Sequence, residues 1–92
     1  FEEIENENLF NQIVNAVIDS KALSFKYMNK ENVVSEKNVY PLRMTNMLGY
    51  WYLLGYDLES EKIKSFYLRY ISDLSSFKES FLSDGEIKSL LQ

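Results

Sequence analysis

Six side chains between residues 27 and 70 carry types that could recognise a ligand: Tyr27, Arg43, Tyr52, Lys64, Arg69 and Tyr70. The three phenols offer flat ring faces and hydroxyl groups, and the three cations offer contacts to anionic oxygens. Proteins that hold single-stranded nucleic acid use this combination, stacking bases on aromatic rings and following the backbone with Lys and Arg. The chain has seven Tyr, six Phe and one Trp to supply such platforms. A small β-sheet core needs a similar number of aromatics, so the count alone does not separate the two uses. Lys64 alternates onto the Phe66 side of its segment, where a Lys ordinarily runs its stem along apolar neighbours and keeps its head in water. Arg43 follows Pro41 and can reach a pocket rim, while Arg69 and Lys26 are expected on the surface.

Other chemistries are excluded by composition. There are no Cys, no His and three Gly in 92 residues. That removes disulfides, thiolate nucleophiles, Cys/His zinc sites, a Ser-His-Asp triad and a Gly-rich phosphate loop. Asp57, Glu59 and Glu61 cluster in a turn, but without EF-hand spacing. No metal, no cofactor and no catalytic residue is therefore expected. With no His near neutrality and no nucleophile–base pair, the chain reads as a non-enzyme.

Charge is uneven along the chain. Net charge is −4, from 10 bases and 14 acids. Residues 1–19 hold five acids and no base, residues 20–70 hold eight bases against five acids, and residues 71–92 hold four acids against two bases. The mildly basic middle suits a small basic pocket better than a duplex-binding surface, which needs several clustered cations.

These side chains must be positioned by local structure. Leu9, Phe10, Ile13, Val14 and Val17 form one apolar stripe at helical spacing, predicting a helix over 8–19 after the possible caps Asn6 and Asn8. The period then changes to two. Leu23, Phe25 and Tyr27 alternate with Ser24 and Lys26, predicting a strand over 22–28. Asn29–Asn32 reads as a turn and 33–40 as a second strand. Pro41 cannot donate to a ladder and belongs at a strand end, an edge or a bulge, with Leu42-Arg43-Met44 continuing extended. Asn46–Gly49 is a turn before the strongest strand, Tyr50–Asp57, which has aromatics on both faces. A fourth strand is predicted over Ile63–Tyr70, with Phe66 and Leu68 facing one way and Tyr67 and Arg69 the other. A fifth covers Ile71–Phe77. Ser83 or Asp84 can cap a final helix over Glu86–Leu91. Core candidates are Leu23, Phe25, Trp51, Leu53, Phe66 and Leu68. Five short sequential strands with hairpin-length turns predict a small, strongly bent antiparallel barrel.

Trp51-Tyr52-Leu53 stands mid-strand, with Phe25-x-Tyr27 and Pro41 upstream and Lys64-Ser65-Phe66-Tyr67-Leu68-Arg69-Tyr70-Ile71 downstream. This ordered set resembles the WYL-domain family over about residues 9–81. The resemblance implies a mostly β fold: an Sm-like, SH3-type five-stranded barrel preceded by a helix. It also implies a ligand-sensing module of bacterial transcription regulators, placed after a helix-turn-helix domain and binding a nucleic acid or small anionic ligand. Lys64 stands where the family usually carries an Arg, keeping charge but losing bidentate geometry. Tyr70 stands where a second Arg is usual, and Arg69 occupies the place of an Asp. One residue along a strand reverses the face, so Arg69 is not expected to replace the missing Arg. The departure points to reduced anion binding or a different ligand.

The expected organisation is an acidic segment or linker over 1–7, a WYL domain over 8–81 and a helical extension over 82–92. Residues 1–19 hold one helix, too few for a helix-turn-helix unit. No signal peptide or membrane span is expected, which suits a cytoplasmic protein, and the chain is expected to be part of a longer one. The competing expectation is an interaction or homodimerisation module without ligand, its adaptable surface supplied by Met28, Met44 and Met47.

Overall fold

The computed structural model describes residues 7–76. The predicted helix over Glu86–Leu91 and the segments 1–6 and 77–92 lie outside the described residues.

Helix α1 spans Glu7–Asp19. It stops because Ser20 adopts φ 55°. The Ser20 amide then donates to Val17 O at 3.4 Å and the Lys21 amide to Ala16 O at 2.9 Å, the paired bonds of a left-handed C-terminal cap. Its buried face centres on Ile13 and Ala16, with Leu9 and Phe10 packed beside them. Val14 and Val17 are half-buried at the margin of the predicted stripe. The small Ala16 lets the helix approach the sheet closely.

Five antiparallel strands follow: β1 Leu23–Met28, β2 Val34–Met47, β3 Tyr50–Asp57, β4 Lys62–Tyr67 and β5 Ile71–Ser76. Their order is β4-β3-β2-β1-β5. β4 and β5 are the sheet edges and do not pair with each other, so the strand ladder is unclosed. Packed between helix and sheet are Leu23, Phe25, Val39, Leu53 and Phe66, all at most 2% exposed. Trp51, predicted among them, is half-buried and meets Phe10 edge-on at 5.1 Å.

Two boundaries differ from expectation. β2 runs on through Pro41 to Met47. Its first half pairs with β1 as far as Val39, and its second half pairs with β3 from Val39 onward. The register shifts between Pro41 and Arg43. A residue without an N–H is tolerated at such a bulge, where the strand changes partner and bends.

The predicted fourth strand ends early. Leu68–Tyr70 forms a single 3-10 turn instead of continuing to Tyr70. The chain must leave β4 at one edge and enter β5 beside β1 at the other. The turn makes this crossing while burying Leu68 and Ile71 at 7% and 6% exposure. Strict alternation therefore fails after Tyr67.

Candidate functional site

Three of the six predicted residues meet in one groove. Tyr27, Tyr52 and Tyr70 line a cavity of about 610 Å³ together with Asn29, Lys30, Tyr50, Ser65 and Tyr67. Five of these eight side chains are tyrosines.

Each reaches the groove by a different route. Tyr50 and Tyr52 alternate with Trp51 and Leu53 along β3, so they stand on the face opposite the core. Ser65 and Tyr67 do the same on β4, and Tyr52 is the cross-strand partner of Tyr67. Tyr27 comes from the Leu23–Phe25 row of β1, at its half-buried end. Tyr70 is carried round by the 3-10 turn, which a continuous strand would not have done.

Tyr67 is the hub. Its ring lies 5.3 Å from Tyr52 at 34°, 6.0 Å from Tyr50 and 5.0 Å from Tyr70, the last two edge-on. Tyr27 meets Tyr70 at 6.1 Å and Phe66 at 5.2 Å. All but the tilted Tyr52–Tyr67 pair are edge-to-face, a favourable geometry worth about 0.5–1.5 kcal/mol beyond area burial. The Tyr67 amide donates to the Tyr27 hydroxyl oxygen at 2.9 Å. Burial pushes the Tyr27 phenol above its ordinary value of 10.0; the Tyr67 amide opposes this, and the neighbouring phenols Tyr70 and Tyr52 add to it. Tyr27 therefore stays neutral across the physiological range, with its O–H proton available as a donor.

The β1–β2 turn supplies the polar mouth. Asn29 Oδ1 accepts the amides of Glu31 at 2.9 Å and Val33 at 3.0 Å. Asn32 takes φ 62°, which Asn tolerates better than most residues. This compact turn holds Lys30 at the rim, the one cation among the groove's described lining residues.

The other three predicted residues lie elsewhere. Arg43 is exposed on β2, paired with Leu54 of β3. Arg69 is exposed in the middle of the 3-10 turn. Lys64 does share the Phe66 side of β4, but its ammonium lies 3.1 Å from Asp57 Oδ2. Asp57 is the buried charged residue of the described core, at 1% exposure. Its other oxygen accepts the Glu59 amide at 3.0 Å. Burial works against the Asp57 charge, yet the bonds from Lys64, Glu59 and Ser60 together hold the carboxyl below its ordinary value of 3.8. Lys26, expected at the surface, lies 3.2 Å from Asp73 there.

Tyr50, Tyr67, Lys30, Asn29 and Ser65 were not singled out from sequence. Alternation already put Tyr67 opposite Phe66, and the same rule aligns Tyr50 with Tyr52. Nothing local marked Lys30, because its role depends on where the turn docks. No group of three or more acidic, His or Cys side chains suited to a metal occurs among the described residues.

A WYL-domain family model matches residues 8–76. The chain belongs to the WYL-domain family. Its helix and five antiparallel strands are similar to part of proteasome accessory factor B/C (PafBC) of Arthrobacter aurescens, with a TM-score of 0.77 at 22% identity. The alignment covers 87% of this chain and 13% of that protein, so this WYL domain spans a small part of its structural relative's length. No curated protein matches the sequence. Among the described residues, no helix of the WYL domain is long and apolar enough to cross a membrane.

Proposed function

We propose that this WYL domain is a regulatory, non-enzymatic sensor of a bacterial transcription regulator. It binds a nucleic acid or a small anionic ligand in the tyrosine groove and passes occupancy to an attached helix-turn-helix domain. In this reading the protein is cytoplasmic, the sensing unit covers 8–81, and 1–7 and 82–92 are a linker and a helical extension around an Sm-like, SH3-type barrel. Tyr27, Tyr52 and Tyr70 contact the ligand with Tyr50, Tyr67 and Lys30. Arg43 and Arg69 serve as outer cations, and Lys64 serves the sheet.

The observation that carries the reading is the convergence of five tyrosines and one lysine from β1, its following turn, β3, β4 and the 3-10 turn on one groove. A groove of this size lies within the range of about 300–1,000 Å³ usual for ligand sites. Family membership supports a sensing role, and the fold shared with a segment of PafBC supports a module carried within a larger protein.

The second reading is an interaction or dimerisation module without ligand. It is favoured by the β2–β3 hairpin tip, where Leu48 is 98% exposed and Met47 44% exposed beside Tyr50. Light scattering and ligand titration of the wild type and of Leu48→Ser separate the two. Sensing requires ligand binding that survives Leu48→Ser. The interaction reading requires a dimer that Leu48→Ser breaks and no ligand bound by either protein.

A further inference from the structure

We propose that the groove recognises the flat face of a nucleobase, with the phosphate contributing at most one charged contact. This deepens the sensor reading and rests on it. The described lining is aromatic rather than cationic: five ring systems stand with a single ammonium, Lys30, among the described residues. Tyr52 and Tyr67 are inclined by only 34° at 5.3 Å, whereas the neighbouring ring contacts Tyr50–Tyr67 and Tyr67–Tyr70 are edge-on at 80° and 75°. Tyr52 and Tyr67 form the least perpendicular pair of the groove, and the edge-on rings stand beside it.

The cations that would hold a phosphate-rich ligand are paired elsewhere or lie outside the described lining. Lys64 is paired with buried Asp57, and Arg43 and Arg69 are not part of the groove's lining. Tyr70 itself packs edge-on between Tyr27 and Tyr67 at 6.1 and 5.0 Å, filling with a neutral ring the part of the groove it occupies. Asn29 and Ser65 add amide and hydroxyl groups that can meet the polar edge of a base, and the Tyr27 hydroxyl proton adds a donor. A quaternary ammonium also favours tyrosine faces, but Lys30 repels it and no carboxylate among the described lining residues offsets that repulsion.

Stacking a base on an aromatic side chain is worth enough that losing it weakens binding about tenfold. A single neutralised phosphate gives a shallow salt dependence. Raising salt from about 50 to about 200 mM should weaken single-strand binding less than about threefold, against about twentyfold for three phosphate contacts.

The test is calorimetric titration with adenosine and uridine monophosphates, a short oligothymidylate, an abasic oligonucleotide of equal length and pyrophosphate, each at both salt concentrations. Binding of base-bearing probes with the shallow salt response, loss in Tyr52→Leu and retention in Tyr52→Phe support the proposal. Tyr50→Ala, altering a rim residue 48% exposed, should weaken the same probes if Tyr52→Leu fails to fold. Mononucleotides binding as tightly as the oligonucleotide identify a free nucleotide as the source of the base; a clear preference for the oligonucleotide identifies a strand. Equal binding of the abasic strand or pyrophosphate, or the steep salt response, overturns base recognition and leaves the sensor reading standing. No binding by any probe to protein shown folded by circular dichroism overturns both.

Discussion

The phenolic oxygen of Tyr27 accepts the main-chain amide of Tyr67 at 2.9 Å across a sequence separation of 40 residues. β1 and β4 are not neighbours in the sheet, so this bond ties the end of an edge strand to the β1 side of the open ladder. It satisfies an amide at the point where β4 gives way to the 3-10 turn, between two residues that line the groove.

Tyr27→Phe keeps the ring and removes the acceptor. The expected loss is about 1 kcal/mol, since the amide is only part-buried and water can partly replace the phenol. Hydrogen exchange at the Tyr67 amide should accelerate. Unchanged protection at that amide would show the bond to be dispensable.

The same phenol predicts an alkaline limb. Burial raises the folded-state value above 10.0. The folded protein therefore keeps a proton that the unfolded chain has begun to lose. This contribution is fully present below about pH 10 and is lost as pH rises through the raised folded value. Urea midpoints across that range should fall more steeply for wild type than for Tyr27→Phe.

The Asp57–Lys64 pair predicts an asymmetry. Asp57 is buried, while the Lys64 side chain is 39% exposed. Lys64→Ala leaves a buried carboxylate with the Glu59 amide and Ser60, and should cost roughly 2–3 kcal/mol, below the usual range for a fully buried pair. Asp57→Asn leaves an ammonium that can turn to water, and should cost about 1 kcal/mol. Ligand affinity should stay within about threefold in Lys64→Ala. Equal costs in denaturant, or lost ligand binding in Lys64→Ala, would contradict this assignment.

Acid should reveal that pair as well. The folded Asp57 carboxyl titrates below 3.8. Its contribution is complete above the unfolded value and is lost as pH falls through the lower folded value. Stability of the wild type should therefore drop below about pH 4 by more than that of Asp57→Asn, as read from thermal midpoints.

Gly55 sits opposite Pro41, where the β2–β3 pairing shifts register. A Cβ there would overlap Val39 Cγ1 and lie 3.2 Å from Tyr40 O. Gly55→Ala should cost about 2 kcal/mol by overpacking. Val39→Ala in the same chain should recover part of that, a non-additivity expected of touching residues. Additive losses in a double-mutant cycle would show that the clash is relieved elsewhere.

Much of the fold was legible because local rules and tertiary packing agree. The α1 stripe, the Leu23–Phe25 row, and Trp51 and Leu53 on one side of β3 with Tyr52 on the other all follow from side-chain period and apolar burial. So does the pairing of turns with Asn and Gly: Asn46 Oδ1 accepts the Gly49 amide at 3.1 Å, and Gly49 takes φ 90°. Family membership was legible too, since it rests on residue types in order. What tertiary structure decided was direction and partnership. Residues 68–70 have strand-like composition, but the crossing from β4 to β5 imposes a 3-10 turn that swings Tyr70 beside Tyr67 and turns Arg69 outward. β2 passes through Pro41 because its pairing with β3 shifts register there, just after β2 has changed partner at Val39. Lys64 was the evident cation for a ligand, yet Asp57, seven residues earlier, claims it, while an unremarked turn brings Lys30 to the groove. A charge finds its partner through space across a folded sheet, and no spacing along the chain encodes that distance until the sheet has bent.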